Sequence, residues 1–466
     1  MPPETRHLNR RLLLVGTALA LAPTTVRGQD ATPAPTAVPP SLAGTTLRLL
    51  TWQRPVDGFN DAYETLVRNW ADRNGVGLTI DWMAPATMVD AVSNEIAVGS
   101  GHDLIDTPLP MPQAEPAMRD LTDLDDELRS TWGDMVEACD QSTLNPVTGR
   151  RWGIAAGWEP AIAMYRATAW QEAGYPFGPR TLDELTAGAR WIWNERGLQL
   201  ALGLTPTHAA EITAQNFIWA TGGGVQDANE QVVLKSQSTM AALTAMRTIF
   251  LETMTPVVLE WKNDDYVEFM LNGFGSYTIG GLHNLRSIAA RKPEIATDLW
   301  IAPPITGPAG TQPARAMVMA MPTLMIPAWN PTPTTAEALV REMIVQSGTV
   351  ARASQLTYLP AFPGSMPDLN ALLADDPFDD ILPTRLAPLA EAPLWTASGG
   401  WPGPLNPMIA EGHRQGLLVS MLADGATETM PDADAIAFTA DAFELLAEPW
   451  RAAGLMAPVS TDSGVG

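Results

Sequence analysis

The sequence predicts an α/β protein built of two lobes, and both its length and its residue pattern support this fold class. A chain of 466 residues is too long to fold around one ordinary hydrophobic core. Two large lobes and an export segment would account for this length. Hydrophobic residues make up 46% of the chain and charged residues 17%, which is typical of a globular protein with a large core. Strand and helix patterns alternate from residue 46 onward, which favours a mostly parallel sheet.

The first elements follow from hydrophobic periodicity. Residues 46–50 have the pattern of a short buried strand, and residues 59–71 place their apolar side chains at helical spacing, with a good helix end after them. A second strand is predicted at 78–82, a second helix at 89–96 and a third strand at 103–106. This β-α-β-α-β order predicts parallel strands with helices on both faces.

Three residues lie where such a sheet binds its ligands. Trp52 and Gln53 follow the first predicted strand, and Asp106 ends the third. Ligands of open α/β sheets lie beyond the carboxyl ends of the strands. Topology therefore makes these residues candidates for a binding site.

The front of the chain is typical of an export signal. Arg10 and Arg11 precede an apolar stretch of 11 residues at 12–22, which is too short to span a bilayer comfortably. We predict a signal peptide at 1–28 and a Pro-rich tether at 29–44; the paired arginines leave export by the general or the twin-arginine route open. The protein is expected in a periplasmic or extracellular space.

Composition argues against several classes of function. The net charge of -24 disfavours binding to nucleic acid. Cys139 is the only cysteine, so neither an intrachain disulfide nor a lipid anchor on a cysteine near the cleavage site is possible. The five histidines show no metal-binding spacing, and no phosphate-binding loop or nucleophile elbow is present. We expect no metal and no cofactor.

A series of short segments resembles one protein family in order and spacing. Residues 98–105, Val-Gly-Ser-Gly-His-Asp-Leu-Ile, match an early run in that family, and residues 220–224, Ala-Thr-Gly-Gly-Gly, match the glycine pair that ends its central helix. The further segments are residues 121–126, 152–155, 164–174, 180–185, 269–281, 302–304, 359–361 and 425–442. Together they resemble the extracellular solute-binding proteins of ABC importers, in particular the sugar-binding, maltose-binding-protein-like group.

The resemblance implies a two-lobed periplasmic-binding-protein type II fold with discontinuous lobes joined by a hinge. Lobe one would comprise residues 45–155 and 300–352, and lobe two residues 156–299 and 353–466. It further implies a non-catalytic monomer without cofactor that closes over its solute and delivers it to the transmembrane subunits of an ABC permease.

A sugar receptor needs carboxylate or amide groups for the hydroxyls and flat aromatic side chains for the ring faces. The candidates are polar and aromatic residues predicted on loops at the lobe edges: Trp52, Gln53, Asp106, Trp158, Glu159, Trp219, Trp261, Asp265, His283, Asn284, Tyr358, Trp395 and Trp401. Trp70, by contrast, lies in a helical pattern and is predicted to be part of the core.

Three alternatives remain open at this point. An exported saccharide hydrolase would need two carboxylates across the cleft. The solute could instead be an oligopeptide, a polyamine or glycerol phosphate. A signalling receptor could use the same fold without transport, since fold alone does not decide function.

Overall fold

The computed structural model describes residues 41–307, 315–378 and 383–459. The predicted signal peptide and the predicted tether up to residue 40 lie outside these residues. In the described part of the chain, no helix combines the length and the apolar character needed to cross a membrane.

The strands are short, and most of them are buried on both faces. In chain order they are β1 Thr46–Trp52, β2 Gly77–Met83, β3 Leu104–Thr107, β4 Leu144–Asn145, β5 Arg150–Arg151, β6 Ile154–Ala155, β7 Gly157–Pro160, β8 Ile162–Arg166, β9 Gln199–Leu200, β10 Gly275–Gly280, β11 Leu299–Ala302, β12 Ala316–Ala320, β13 Thr323–Met325, β14 Leu359–Pro360 and β15 Thr396–Ala397.

Helices separate these strands. They are α1 Phe59–Asn74, α2 Pro85–Val98, α3 Thr122–Trp132, α4 Glu137–Thr143, α5 Ala167–Glu172, α6 Leu182–Arg196, α7 His208–Ala220, α8 Gln237–Thr253, α9 Asp265–Leu271, α10 Leu282–Arg291, α11 Pro293–Ala296, α12 Pro333–Val345, α13 Ser347–Ala353, α14 Leu369–Ala374, α15 Ala392–Trp395, α16 Pro407–Gln415, α17 Leu417–Thr427 and α18 Asp432–Ala452. Short 3₁₀ helices lie at Pro112–Ala117, Pro256–Leu259, Pro363–Ser365 and Pro383–Glu391.

The first sheet has the strand order β2-β1-β3-β13-β6. β1 is parallel to β2 and to β3, which confirms the predicted β-α-β-α-β unit, and β13 runs antiparallel to β3. α1 buries its predicted apolar face, including Trp70 at 3% exposure. Gly75 and Gly99 end α1 and α2 in the left-handed region, at φ 65° and 70°, where glycine has no Cβ to clash.

The second sheet has the order β11-β8-β10-β9. β8 runs antiparallel to both β10 and β11, whereas β9 is parallel to β10. Because β11 pairs with β8, residues 299–302 belong to this sheet, and the chain returns to the first sheet only between β12 and β13. The lobe limits elsewhere remain a prediction.

A third sheet, β14-β7-β12-β15, contains the crossings between the other two, and we call it the crossing sheet. β7 connects β6 of the first sheet with β8 of the second, and β12 leads back from β11 to β13. β14 follows α13, which packs on α1 of the first lobe. The two lobes are therefore discontinuous in sequence, and their hinge consists of several short extended segments.

Candidate functional site

A buried polar group lies at the carboxyl edge of the first sheet, and we call it the Asp106 group. It comprises Asp106 on β3 together with Thr51, Trp52, Arg54 and Tyr63 from β1 and α1. Asp106 Oδ2 accepts hydrogen bonds from Arg54 Nη2 at 2.5 Å, Thr51 Oγ1 at 2.8 Å and Tyr63 OH at 2.8 Å. The side chains of Arg54 and Asp106 are 2% and 1% exposed. Three donors therefore converge on one oxygen of the carboxylate.

Aromatic rings surround the guanidinium of Arg54. Its Cζ lies 3.8 Å from the ring centroid of Tyr63, 4.8 Å from that of Trp52 and 5.3 Å from that of Phe59. Burial lowers the pKa of Arg54, whereas Asp106, Tyr63 and Tyr358 together raise it, so the net shift is upward. Arg54 therefore remains charged and holds the carboxylate in place.

Two polar atoms of the Asp106 group have no hydrogen-bond partner among the described residues. They are Asp106 Oδ1, an acceptor, and Trp52 Nε1, a donor, and both are buried. Buried polar atoms of this kind are costly, because each has lost its water without gaining a partner. One unpartnered donor and one unpartnered acceptor therefore belong to the same group of residues at the sheet edge.

A second polar group combines Glu159 on β7 with His283 at the start of α10. Glu159 is fully buried, and its Oε1 accepts hydrogen bonds from the backbone N–H of His283 at 3.0 Å and from His283 Nδ1 at 2.9 Å. Burial lowers the pKa of His283 but the Glu159 carboxylate raises it, with a net upward shift. Gly281 permits this approach, since a Cβ there would lie 2.4 Å from Glu159 Oε1.

Tyr358 lies between these two groups. Its ring contacts Trp52 edge to face, with centroids 6.0 Å apart, and Phe59 at 5.7 Å. Burial raises the pKa of Tyr358, and the carboxylates of Glu159 and Asp106 raise it further. Tyr358 directly precedes β14, so a residue of the crossing sheet joins the polar group of each lobe.

Further aromatic side chains lie at the other end of the crossing sheet. Trp219, at the end of α7, contacts Trp401 edge to face with centroids 5.9 Å apart. The guanidinium of Arg315 lies over the ring of Trp401 at 3.8 Å. β15 pairs with β12 through Thr396 and Ala316, which places Trp395 opposite Arg315 in the register. We call Arg315, Trp219, Trp395 and Trp401 the Trp401 group.

Trp261, Asp265 and Asn284 lie at the carboxyl edge of the second sheet. Trp261 packs on Phe269 at 5.2 Å and borders a small pocket together with Gly203 and Thr207. Asp265 Oδ2 accepts the backbone N–H of Lys262 at 2.7 Å. Asn284 Oδ1 accepts hydrogen bonds from Tyr266 OH and from the backbone N–H of Gly281, both at 2.9 Å. Asp265 and Asn284 thus organise the starts of α9 and α10.

The structure brings five of the thirteen candidate residues together without deciding which of them touch a ligand. Trp52, Asp106, Glu159, His283 and Tyr358 form one continuous neighbourhood, and their role in binding remains a prediction. The predicted ligand role of the others also stays untested: Gln53 is exposed, and its backbone N–H binds Met83 O at 2.8 Å, while Trp158 is buried and donates to Pro360 O at 3.2 Å.

Sequence reasoning missed several residues of these groups. Arg54 and Tyr63 complete the Asp106 group, and Arg315 belongs to the Trp401 group. Arg54 offered one local signal, because it lies two residues beyond the last residue of β1. Arg315 offered none, since its contacts come from segments that are distant in sequence.

Known proteins were compared with this chain at the levels of sequence and fold. No protein-family profile and no curated protein sequence matches it. Solved structures do match. A putative oligosaccharide periplasmic-binding protein from Synechococcus sp. MITs9220 has a TM-score of 0.72 and 18% identity, with 87% of this chain and 100% of that chain covered. Maltose-bound MalE3 of T. maritima has a TM-score of 0.68 and 17% identity, over 86% and 100%.

A sugar transporter protein from Arthrobacter chlorophenolicus A6 with bound laminaribiose also matches, with a TM-score of 0.68 and 14% identity over 86% of this chain and 99% of that one. At such low identity the likeness establishes the fold. The predicted fold class is confirmed: the chain is an α/β protein with the two-lobed, hinged type II fold of periplasmic solute-binding proteins.

Proposed function

We propose that this chain is an exported, non-catalytic receptor that binds a small solute, a mono- or oligosaccharide, between its lobes and delivers it to an ABC importer. The observation that carries the proposal is the pair of unpartnered buried atoms, Asp106 Oδ1 and Trp52 Nε1. Sugar hydroxyls both donate and accept, so the hydroxyls of a bound sugar would satisfy both kinds of atom. The neighbouring rings of Trp52 and Tyr358 suit the apolar faces of a sugar ring.

The fold supplies the mechanism of capture. Tyr358 and Glu159 belong to crossing segments, so rotation of one lobe against the other changes their position relative to Asp106. A ligand shifts this equilibrium only through the better contacts that it makes in the closed form. Closure then presents a changed outer surface to the permease.

The ligands of similar solved structures support the saccharide class. Maltose and laminaribiose are named for the proteins described above, and tagatose and ribitol are named for solute-binding proteins from Thermotoga lettingae and Agrobacterium radiobacter K84. These ligands share several adjacent hydroxyl groups. The Asp106 group offers the complementary donor and acceptor.

The proposal includes the remaining expectations from the sequence. Residues 1–28 direct export, residues 29–44 tether the folded part, and the mature protein is a monomer in a periplasmic or extracellular space. Its partners are the solute and the permease subunits, not nucleic acid. No specific observation favours the hydrolase, the signalling receptor or a binder of polyamine, peptide or glycerol phosphate.

The test is thermal unfolding of the chain without residues 1–28 against saccharides, polyamines and phosphate esters, followed by analysis of the recovered ligand. A ligand present at 100 times its dissociation constant adds about 2.7 kcal/mol to the unfolding free energy. We expect a saccharide to raise the unfolding temperature and to be recovered intact. A shift with polyamines alone would contradict the saccharide class, and cleaved sugar would contradict the absence of catalysis.

A matched pair of variants locates the site. Trp52→Phe removes the unpartnered N–H but keeps an aromatic ring, and it should weaken saccharide binding about fivefold, the worth of one hydrogen bond. Trp193→Phe, on α6 at 39% exposure, makes the same chemical change far from the Asp106 group and should leave binding unchanged. Equal effects of the two variants would place the ligand elsewhere.

A further inference from the structure

Arg315 is an arginine without a charge partner in a strongly acidic protein. Among the described residues it forms neither an ion pair nor a hydrogen bond, and its Nε is buried. Arg151 and Arg451 also leave Nε unpartnered, but their terminal nitrogens bind carboxylates, Asp140 for Arg151 and Glu444 for Arg451. Arg315 differs because, within residues 41–307, 315–378 and 383–459, no carboxylate pairs with its guanidinium.

The position of Arg315 is nevertheless defined. Its guanidinium stacks on the ring of Trp401 at 3.8 Å, and Trp401 is fixed in turn by Trp219. Stacking of this kind orients the planar guanidinium and leaves its edge free for hydrogen bonds. The side chain is therefore held ready for a partner that the described residues do not supply.

The unpartnered atoms beside Arg315 are mainly donors. Trp219 Nε1 and Trp395 Nε1 are buried without a hydrogen-bond partner among the described residues, as is the hydroxyl of Thr396. An indole N–H and a guanidinium can only donate. The Trp401 group therefore has an excess of donors, which an anionic group with several acceptor oxygens would satisfy.

The charges that face Arg315 do not remove this excess. Burial lowers the pKa of Arg315 by more than the carboxylate of Glu137 raises it, so the net shift is downward. The Glu137 carboxylate is on the exposed side of α4, accepts a hydrogen bond from Gln141 Nε2 at 3.0 Å and makes no ion pair with Arg315. An arginine keeps its charge under these conditions, so a cation is left partly buried and uncompensated.

We propose that the solute is an acidic saccharide, whose carboxylate binds Arg315 and the neighbouring indole N–H groups. This inference rests on the proposed function and narrows its substrate class to uronic acids and their oligomers. A carboxylate accepts two parallel hydrogen bonds from a guanidinium, which matches the stacked, edge-free orientation of Arg315. Hydroxyls of a neutral sugar would accept hydrogen bonds from these donors but would leave the charge of Arg315 uncompensated.

The experiment compares matched ligands by calorimetric titration: galacturonate with galactose, glucuronate with glucose, and digalacturonate with galactobiose. Glucose 6-phosphate and sodium sulfate test whether another anion is preferred. The variants are Arg315→Gln, Arg315→Lys and, as a charge-matched control, Arg68→Gln, which removes an exposed arginine paired with Glu64 on α1. Unfolding of each variant without ligand checks that it is folded.

We expect the acidic member of a pair to bind wild type more tightly than its neutral counterpart. Arg315→Gln should lose roughly 10- to 100-fold in affinity for it, since a charge-assisted hydrogen bond is lost, whereas Arg68→Gln should not. Arg315→Lys should recover part of the loss, because the charge remains but the planar fork does not.

The acidic-ligand inference would be overturned if acidic sugars bound wild type no more tightly than neutral sugars, and if neutral sugars bound wild type and Arg315→Gln equally. The proposed saccharide receptor would remain intact in that case. Tighter binding of the phosphate ester, or of sulfate alone, would overturn the choice of a carboxylate. Failure of every saccharide, neutral or acidic, would overturn the proposed function itself.

Discussion

The Asp106 group gives a sharp prediction about stability. The prediction concerns Asp106→Leu, which removes the carboxylate from beneath Arg54. Arg54 then retains a buried positive charge in an aromatic environment, and the hydroxyls of Thr51 and Tyr63 lose their acceptor. Removing one partner of a buried ion pair ordinarily costs about 3–5 kcal/mol, because the remaining charge is uncompensated.

The second variant separates the charge from the rest of the effect. Arg54→Met combined with Asp106→Leu removes both charges and keeps an apolar volume beside Trp52 and Phe59. Replacing a whole buried pair by apolar residues is often close to neutral. Because the two hydroxyls stay unpartnered, the double variant should still lose about 1–3 kcal/mol. The double variant is therefore expected to be more stable than Asp106→Leu alone.

The assay is equilibrium unfolding in urea, followed by tryptophan fluorescence and by circular dichroism to test whether the two transitions coincide. The coupling free energy of the double-mutant cycle is the quantity of interest. The stability losses should be alike at pH 6 and pH 8, since the pKa of Arg54 is raised above its already high ordinary value. If the stability losses of Arg54→Met alone and Asp106→Leu alone added up to the loss of the double variant, the argument would be refuted, because the buried pair would then not be coupled.

Three other predictions concern separate parts of the fold. Burial raises the pKa of Glu211 to about 8, although two backbone N–H groups of α17 bind its carboxylate. Protonated Glu211 therefore stabilises the fold below pH 4.5, and its contribution to the free energy of unfolding declines as the pH rises toward 8, by up to about 1.4 kcal/mol per pH unit. Urea unfolding of Glu211→Gln should not show that decline. Gly281→Ala places a Cβ against Glu159 and should cost about 1–3 kcal/mol, whereas Gly224→Ala, where the nearest contact is 3.4 Å, should cost much less in the same assay. Cys139 is fully buried and its pKa is raised by burial, so a thiol reagent should label it only after unfolding, and rapid labelling of the native protein would contradict this.

Local pattern was sufficient for the first three strands and two helices of the first lobe. The stripe of apolar residues on α1 and the alternation on β1 and β2 predicted the β-α-β-α-β unit, because periodicity records which face each element buries. Gly75 and Gly99 marked helix ends, since a left-handed residue is needed there. The position of Trp52 and Asp106 at the same sheet edge followed from parallel topology alone.

Local pattern could not decide which candidate side chains still have unpartnered atoms. Trp158 and Trp219 are both tryptophans at the ends of elements, yet Trp158 donates to Pro360 O and Trp219 Nε1 has no partner among the described residues. The pairing of β11 with β8 was likewise invisible at the sequence level, because the resemblance placed the lobe crossing at residue 300. Such outcomes depend on segments that fold together from distant parts of the chain.

The sequence by itself determined the fold class, the first three strands and two helices of the first lobe and two of the residues at its carboxyl edge, because burial periodicity and strand order are local properties. Only the tertiary structure decided that Arg54 neutralises Asp106, that Tyr358 joins this group to Glu159, and that Arg315 stacks on Trp401. Charge compensation and hydrogen bonding depend on distances of a few ångströms between residues far apart in the chain, and sequence spacing does not report those distances.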